Sequence, residues 1–437
     1  MKWNLNLNTS NPSPLRKWYR EKVLARLRKS EKGSLIAGAI DLALYSNNIF
    51  IKVCGRELVA LRDYCVRESR KMYTVEEEQS REVFVYNGKR DGGECFEFQS
   101  PDIYYTLLEN VSVRGRSNCI FVDGYCIYPI ERMEKDSKVD FKIHGTIGII
   151  GEKIYFGYVK GKRVIEKAIM MLDQASYNYY HLTIEILARL AYIDSMPEFE
   201  DYPLLIDRCV WETAQFRELI NKVNMYNHEI ILIDDLEMCE IHSLVVVSPC
   251  AWMPSNVKIG YEYEAKDYMV SGQAMRRVRS RLVEKETVGE RKIFISRMNT
   301  NNARLTNEVQ IREIFRKFGF EIVYPEKMTL EEQIELFKNC SHVAGATGAA
   351  FTNILYCQEG THIICIIPNS TNFYGYSTMA YLLNLKVDFI DADIVDDHEI
   401  KSCCTYSLNE DECVNRLKLI VDDNKLESEM RNKVNGN

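Results

Sequence analysis

The sequence has no C-x-x-C pair among its fourteen cysteines, and only Cys403 and Cys404 are adjacent. That excludes zinc-ribbon spacing, and a chain of 437 residues needs no disulfide staples, so the cysteines read as reduced, mostly buried small hydrophobes. No run approaches the roughly 18 uninterrupted apolar residues of a membrane span. The best candidate, SLIAGAIDLALYSNNIFIKV, is broken by Asp41, Asn47 and Asn48. The first residues, MKWNLNLNTSNPS, lack the apolar core of a secretory signal. Net positive charge is absent too: the formal balance is −7, which argues against a dedicated nucleic-acid binder. There is neither a short fixed repeat nor a long low-complexity tract. The expectation is a soluble, cytoplasmic protein.

What is present is apolar material in quantity. Hydrophobic residues make up 46% of the chain, enough for two or three packed domains. Residues 15–32 form a basic stretch, with Arg16, Lys17, Arg20, Lys22, Arg26, Arg28, Lys29 and Lys32 set against an apolar face of Trp18, Tyr19, Val23, Leu24 and Leu27. Such a helix either docks on its own domain or makes peripheral contact with an anionic membrane. Thr74–Arg81 and Asn87–Glu94 are polar and rich in breakers, and read as linkers or turns. Between Tyr104 and Tyr158, short β-type runs predict a small, mostly antiparallel sheet, and Asp123-Gly124 is a two-residue hairpin signal.

From about Lys162 the pattern becomes α/β. RVIEKAIMML has apolar residues at helical spacing; PLLID, HEIILID and HSLVVVS read as strands, and ETAQFRELINKV as a helix. A basic helix, Tyr268–Glu284, leads into a second α/β unit with strands KIFIS, EIVY, HVAGA, HIICII and KVDFID. Two such units in succession predict a cleft between Rossmann-like domains, with ligands at the carboxyl ends of the strands.

Three constellations carry candidate chemistry. Arg297 and Arg304 follow the strand KIFIS, and guanidinium forks suit phosphate oxygens; ordinary surface charge or an ion pair with Glu308 is the structural alternative. In HVAGATGAAFTN, Gly345, Thr347, Gly348 and Ala349 lie between a strand and a helix, where backbone amides and the hydroxyls of Thr347 and Thr352 could face an anion. Glycine there could equally serve a tight turn. His181 and Glu185 stand at i and i+4, so the carboxylate could orient the ring and raise its basicity; a lone buried histidine is also a common core residue. The acidic pairs Asp234-Asp235 and Asp391-x-Asp393 could offer oxygen ligands to a divalent cation but read rather as strand-end turns, so no metal and no cofactor is expected.

Taken together, Ser296-Arg297-x6-Arg304-x2-Asn307-Glu308, then Gly319-Phe320-Glu321-x-Val323, Glu332-Gln333-Ile334-x-Leu336-Phe337 and Gly345-x2-Gly348-Ala349-x2-Thr352-Asn353 resemble the core of glycosyltransferase family 61. Asn178-Tyr179-Tyr180-His181-x3-Glu185-x-Leu187-x-Arg189-Leu190 resembles the family's upstream motif. The resemblance implies an α/β chain of GT-B type, two facing Rossmann-like domains with an N-terminal helical and β-rich extension. The expected division is 1–100 for the extension, 101–270 for the acceptor-side domain, 271–400 for the donor domain, and 401–437 for a closing helix and tail. It also implies inverting transfer from a nucleotide-sugar, commonly a UDP-sugar, to a glycan or lipid-linked saccharide in bacterial surface-polysaccharide synthesis. Arg297 and Arg304 would hold the diphosphate. Asn307, Glu332, Gly345, Thr347, Gly348, Ala349, Thr352 and Asn353 would complete the donor side. His181, supported by Glu185, would face the cleft as the base or as an acceptor-binding residue. The chain departs from the family pattern where a usual histidine is Thr347, a usual Gly-Leu is Ala350-Phe351 and a usual tryptophan is Leu182. A nucleotide-sugar epimerase and a non-catalytic nucleotide- or glycan-binding protein are the alternatives.

Overall fold

The computed structural model describes residues 36, 38–40, 52–86, 93–100, 102–129, 146–158, 162–253, 268–284, 289–298, 303–368, 374–396 and 404–421. The basic stretch 15–32 lies outside them. Two large sheets dominate a mixed α/β architecture, with two small two-stranded sheets beside them.

The C-terminal sheet has the order Glu321–Val323, Arg291–Ile295, Cys340–Ala346, His362–Pro368, Lys386–Asp396, Thr405–Ser407. The first five strands are parallel and the last is antiparallel. Continuous apolar runs such as HIICIIP, buried at every position, suit strands covered on both faces. Ile295, Val343, Cys365, Ile367 and Phe389 enter one core; Phe294, Ala344, Ile366, Ile390 and Ala392 enter another, beneath the helix Glu308–Lys317 and the helix at 410–421. Gly319, at φ 83°, lets the chain turn sharply after the first of those helices.

The larger sheet has eleven strands. Ile230–Ile233, Leu204–Asp207, Lys162–Met170 and Met238–Val247 run parallel, and Met238–Val247 then pairs antiparallel with Ile103–Arg114. Ile120–Val122, Tyr125–Tyr128, Lys52–Ala60, Lys153–Tyr158 and Thr146–Ile150 continue it, and Tyr73–Glu76 pairs with Ile103–Arg114. The expected hairpin at Asp123-Gly124 forms, with Gly124 at φ 80°.

Three sequence expectations need correction. RVIEKAIMML is a strand, Lys162–Met170, not a helix: it pairs along its length with Met238–Val247, its end at Ile169 and Met170 also pairs with Leu204–Asp207, and that pairing of a segment rich in β-branched residues overrides the helical spacing. Thr74–Arg81 is no linker, since Tyr73–Glu76 and Gln79–Tyr86 are strands; the second polar stretch falls mostly outside the described residues and ends in the strand Gly93–Ser100. The antiparallel strands of the Tyr104–Tyr158 region form no separate small sheet, because Ile103–Arg114 hydrogen-bonds directly to the parallel set. One hydrophobic core joins the two halves, containing Tyr180, Leu187 and Tyr192 from one and Ile295, Phe351 and Tyr376 from the other.

Candidate functional site

His181 opens a π-helix, His181–Ile186, that runs into the α-helix Leu187–Ile193. Such wide turns recur at functional sites because they re-aim side chains that a regular helix would stack. The ring is 4% exposed, and Nδ1 lies 2.8 Å from Glu185 Oε2. An ionised carboxylate only accepts, so Nδ1 carries the proton and Nε2 keeps its lone pair. Nε2 has no hydrogen-bond partner among the described residues. The other carboxylate oxygen of Glu185 accepts from the Met253 amide at 2.7 Å, which fixes the pair. Burial disfavours the imidazolium, but the charge and hydrogen bond of Glu185, with Asp173 behind them, outweigh it; the His181 pKa lies above the ordinary imidazole value.

Behind this pair stands a buried polar frame that the sequence did not announce. Arg189 donates through Nε to the Glu185 carbonyl at 2.9 Å and through Nη2 to Asp173 Oδ2 at 3.4 Å. Asp207, the last residue of its strand, accepts from the Ser176 hydroxyl (2.7 Å), the Arg116 amide (2.6 Å) and the Asp173 amide (3.2 Å). Burial pushes its carboxyl up to about 7 despite those three donors.

The second cluster sits at the carboxyl edge of the C-terminal sheet. Arg291–Ile295 and Cys340–Ala346 are neighbouring strands, although Glu321–Val323 lies between them in sequence, so Arg297 and the glycine turn meet there. Glu308 takes the Ser296 hydroxyl and the Arg297 amide, which holds the backbone just past the strand end. The Arg297 guanidinium donates to the Thr347 carbonyl. Burial and the nearby Arg304 charge both lower its pKa. The Arg304 side chain makes no hydrogen bond or ion pair with another described residue. Two like charges held together in a half-buried place cost free energy unless an anion joins them.

The turn itself answers why glycine is needed. Gly348 has extended backbone (φ 160°), so conformation does not demand it; a Cβ there would lie 2.1 Å from Arg297 Nη1. At Gly345 a Cβ would stand 2.8 Å from the Ile295 carbonyl oxygen. Ala349 begins a 3₁₀-helix, Ala349–Tyr356, rather than an α-helix. The Thr347 amide is bound to the Ile366 carbonyl and the Phe351 amide to that of Gly348, so the amides of Gly348, Ala349 and Ala350 remain as donors among the described residues. Among the described residues the hydroxyls of Thr347, Thr352 and Tyr406 are buried without a partner at hydrogen-bond distance, Thr347 lying near Cys365 and Thr352 near Tyr376. Buried orphan donors cost about 1–3 kcal/mol each, and three near two guanidiniums suit a ligand rich in acceptors.

The remaining predicted donor-side residues are placed elsewhere. Asn307 holds the Leu408 backbone at both ends of its amide, at 2.8 and 3.1 Å. Glu332 closes a capping box with Thr329 on the helix Leu330–Lys338. Asn353 donates to Gln333 Oε1 (2.8 Å) and accepts from the Tyr179 hydroxyl (2.7 Å), which also meets the Tyr356 hydroxyl at 2.7 Å. This network ties the His181 segment to the glycine turn. Tyr376 makes a second link: its hydroxyl donates to the Gly348 carbonyl at 2.6 Å, and its ring meets Tyr180 edge-on, which in turn meets His181. Asp234 pairs with Arg208, and among the described residues no three His, Cys, Asp or Glu side chains are grouped to hold a metal ion.

Residues 179–364 match the family model Glycosyltransferase 61, an interval that contains His181, Glu185, Arg297, Arg304 and the turn Gly345–Asn353. The family is one of glycosyltransferases, and the match covers less than half of the chain. No curated protein matches the chain. No helix among the described residues is long and apolar enough to cross a membrane.

Proposed function

We propose that this chain is an inverting glycosyltransferase of GT-B arrangement that uses a nucleoside-diphosphate sugar, with UDP as the expected carrier. The observation that carries this reading is the pair Arg297 and Arg304, held together beside the orphaned hydroxyl of Thr347 and the open amides of residues 348–350. That arrangement suits a diphosphate, whose charge grows as the sugar leaves. Across the Tyr180–Tyr376 contact, His181 Nε2 takes the proton of an acceptor hydroxyl while Glu185 stabilises the imidazolium that forms. Attack on the face opposite the diphosphate inverts the anomeric carbon.

Thr347 stands where the family pattern has histidine; its hydroxyl still offers a donor to phosphate, and the base role rests on His181. The acceptor is a saccharide hydroxyl, lipid-linked if residues 15–32 contact a membrane, in the synthesis of a surface polysaccharide.

The test is product analysis of a nucleotide-sugar panel with and without saccharide acceptors. Acceptor-dependent release of nucleoside diphosphate with an inverted linkage supports transfer. Interconversion of the donor sugar without an acceptor identifies an epimerase, and binding with no turnover of any donor identifies a non-catalytic protein; either result overturns the proposal.

A further inference from the structure

The same sheet edge carries one more orphan that the phosphate-binding groups do not explain. Asp391 lies on Lys386–Asp396, two strands from the glycine turn, with His362–Pro368 between them. The register places it opposite Ile367, while Ala346 lies opposite Ile366 and the Thr347 amide bonds to the Ile366 carbonyl. Thr347 and Asp391 therefore flank Ile367 at one level, about 10 Å apart for two strand spacings. They also share a face: Ile390 and Ala392 point into the core under the helix at 410–421, so Asp391 points the other way, with Phe389. The helix Tyr374–Leu382 packs on that strand, and its Tyr376 reaches the Gly348 carbonyl, so one helix touches both the strand and the turn.

Asp391 is only 9% exposed, and its Oδ1 has no hydrogen-bond partner among the described residues. Burial pushes its carboxyl up to about 6 against the pull of Arg416, so at neutral pH and above it is mostly a carboxylate, which accepts hydrogen bonds only. A buried acceptor without a donor is costly, and an ion is a poor answer here because no metal-sized group of ligands surrounds it among the described residues. What fits is a ligand hydroxyl, set one ribose away from a diphosphate at the turn.

We propose that Asp391 accepts hydrogen bonds from the ribose hydroxyls of the nucleoside diphosphate, and so makes the site select ribonucleotides over deoxyribonucleotides. This rests on the donor-site reading above and extends it from the phosphates to the sugar of the nucleotide.

The experiment is calorimetric titration of the full chain with the four ribonucleoside diphosphates, then with the 2′-deoxy and 3′-deoxy forms of the one that binds, and with inorganic pyrophosphate. Wild type, Asp391→Asn and Arg297→Ala are compared, with thermal unfolding of each. The expected result is a preference of about tenfold or more for the ribose form over a deoxy form in wild type. In Asp391→Asn that preference collapses through loss of ribonucleotide affinity, pyrophosphate binding is unchanged, and the protein is at least as heat-stable as wild type because an orphaned charge is gone. A preference that survives in Asp391→Asn while Arg297→Ala loses the nucleotide overturns the role of Asp391 and leaves the donor site standing. So does equal weakening of pyrophosphate, or a failure of Asp391→Asn to fold, since either makes Asp391 a structural or phosphate-side group. Ribonucleotide binding that Arg297→Ala does not weaken, or no binding by wild type, overturns the donor site and this inference with it.

Discussion

Gly348 is glycine because of Arg297: a methyl group on its Cα would lie 2.1 Å from the guanidinium Nη1 that approaches it. The two residues are far apart in sequence, yet the arginine lies across the turn and donates to the carbonyl of Thr347. A small change at the turn should thus act on the anion site through the arginine. In Gly348→Ala the side chain must swing away, and nucleoside diphosphate affinity should fall about 10- to 100-fold, the loss of one or two charge-assisted hydrogen bonds. Titration calorimetry reads this directly; wild-type affinity in the variant would show that Arg297 does not hold the ligand.

Glu185 sets the basicity of His181. Without its negative charge, burial dominates and the imidazole pKa falls. Glu185→Gln should move the acidic limb of the kcat/KM profile to lower pH, because the base stays unprotonated further into acid, and should lower the rate on the plateau. Histidine titration by NMR should shift in the same direction. An unchanged acidic limb would remove the pair from proton transfer.

The junction between the halves is a stability device. Asn353→Ala strips partners from the Tyr179 hydroxyl and from Gln333 Oε1 together, and should cost about 2–4 kcal/mol in urea unfolding; Tyr179→Phe should cost about 1 kcal/mol. The double variant should lose less than the sum, since both break one network. Additive losses would show that the two contacts are independent.

Much of the C-terminal half was legible in the sequence, and the reasons are local. HIICII and HVAGA are short, largely apolar runs bounded by breakers, and both are strands as their pattern predicts. The pairing of His181 with Glu185 followed from their spacing, although a π-helix rather than an α-helix presents them. What could not be read was set by partners distant in the chain. Lys162–Met170 has helical spacing but pairs with strands from later in the sequence, and the approach of Arg297 that leaves no room for a side chain at Gly348, like the hold of Tyr179 and Gln333 on the Asn353 amide, is set by residues distant in the chain. Arg189, Asp173 and Tyr376 carried no signal beyond residue type, apart from Arg189's place in the upstream motif.

Asp207 predicts a pH dependence of folding. Its carboxyl rises from 3.8 to about 7 on folding, so between those values the folded chain holds a proton that the unfolded chain releases. Stability contributed by this group is therefore full below about pH 4 and is lost as pH rises toward 7, by an amount on the order of a few kcal/mol. Asp207→Asn should flatten that slope, measured as urea midpoints from pH 4.5 to 7.5. An unchanged slope would show that Asp207 is ionised throughout.

Arg297 and Arg304 are proposed to bind the leaving diphosphate of a sugar donor. The most direct measurement is steady-state turnover of the preferred nucleotide-sugar and acceptor by wild type, Arg297→Ala and Arg304→Ala, with thermal unfolding to confirm folding. Each variant should fold and lose at least about 100-fold in kcat/KM, as expected when a charged partner of the developing diphosphate is removed. Turnover within a few-fold of wild type in both variants would contradict it.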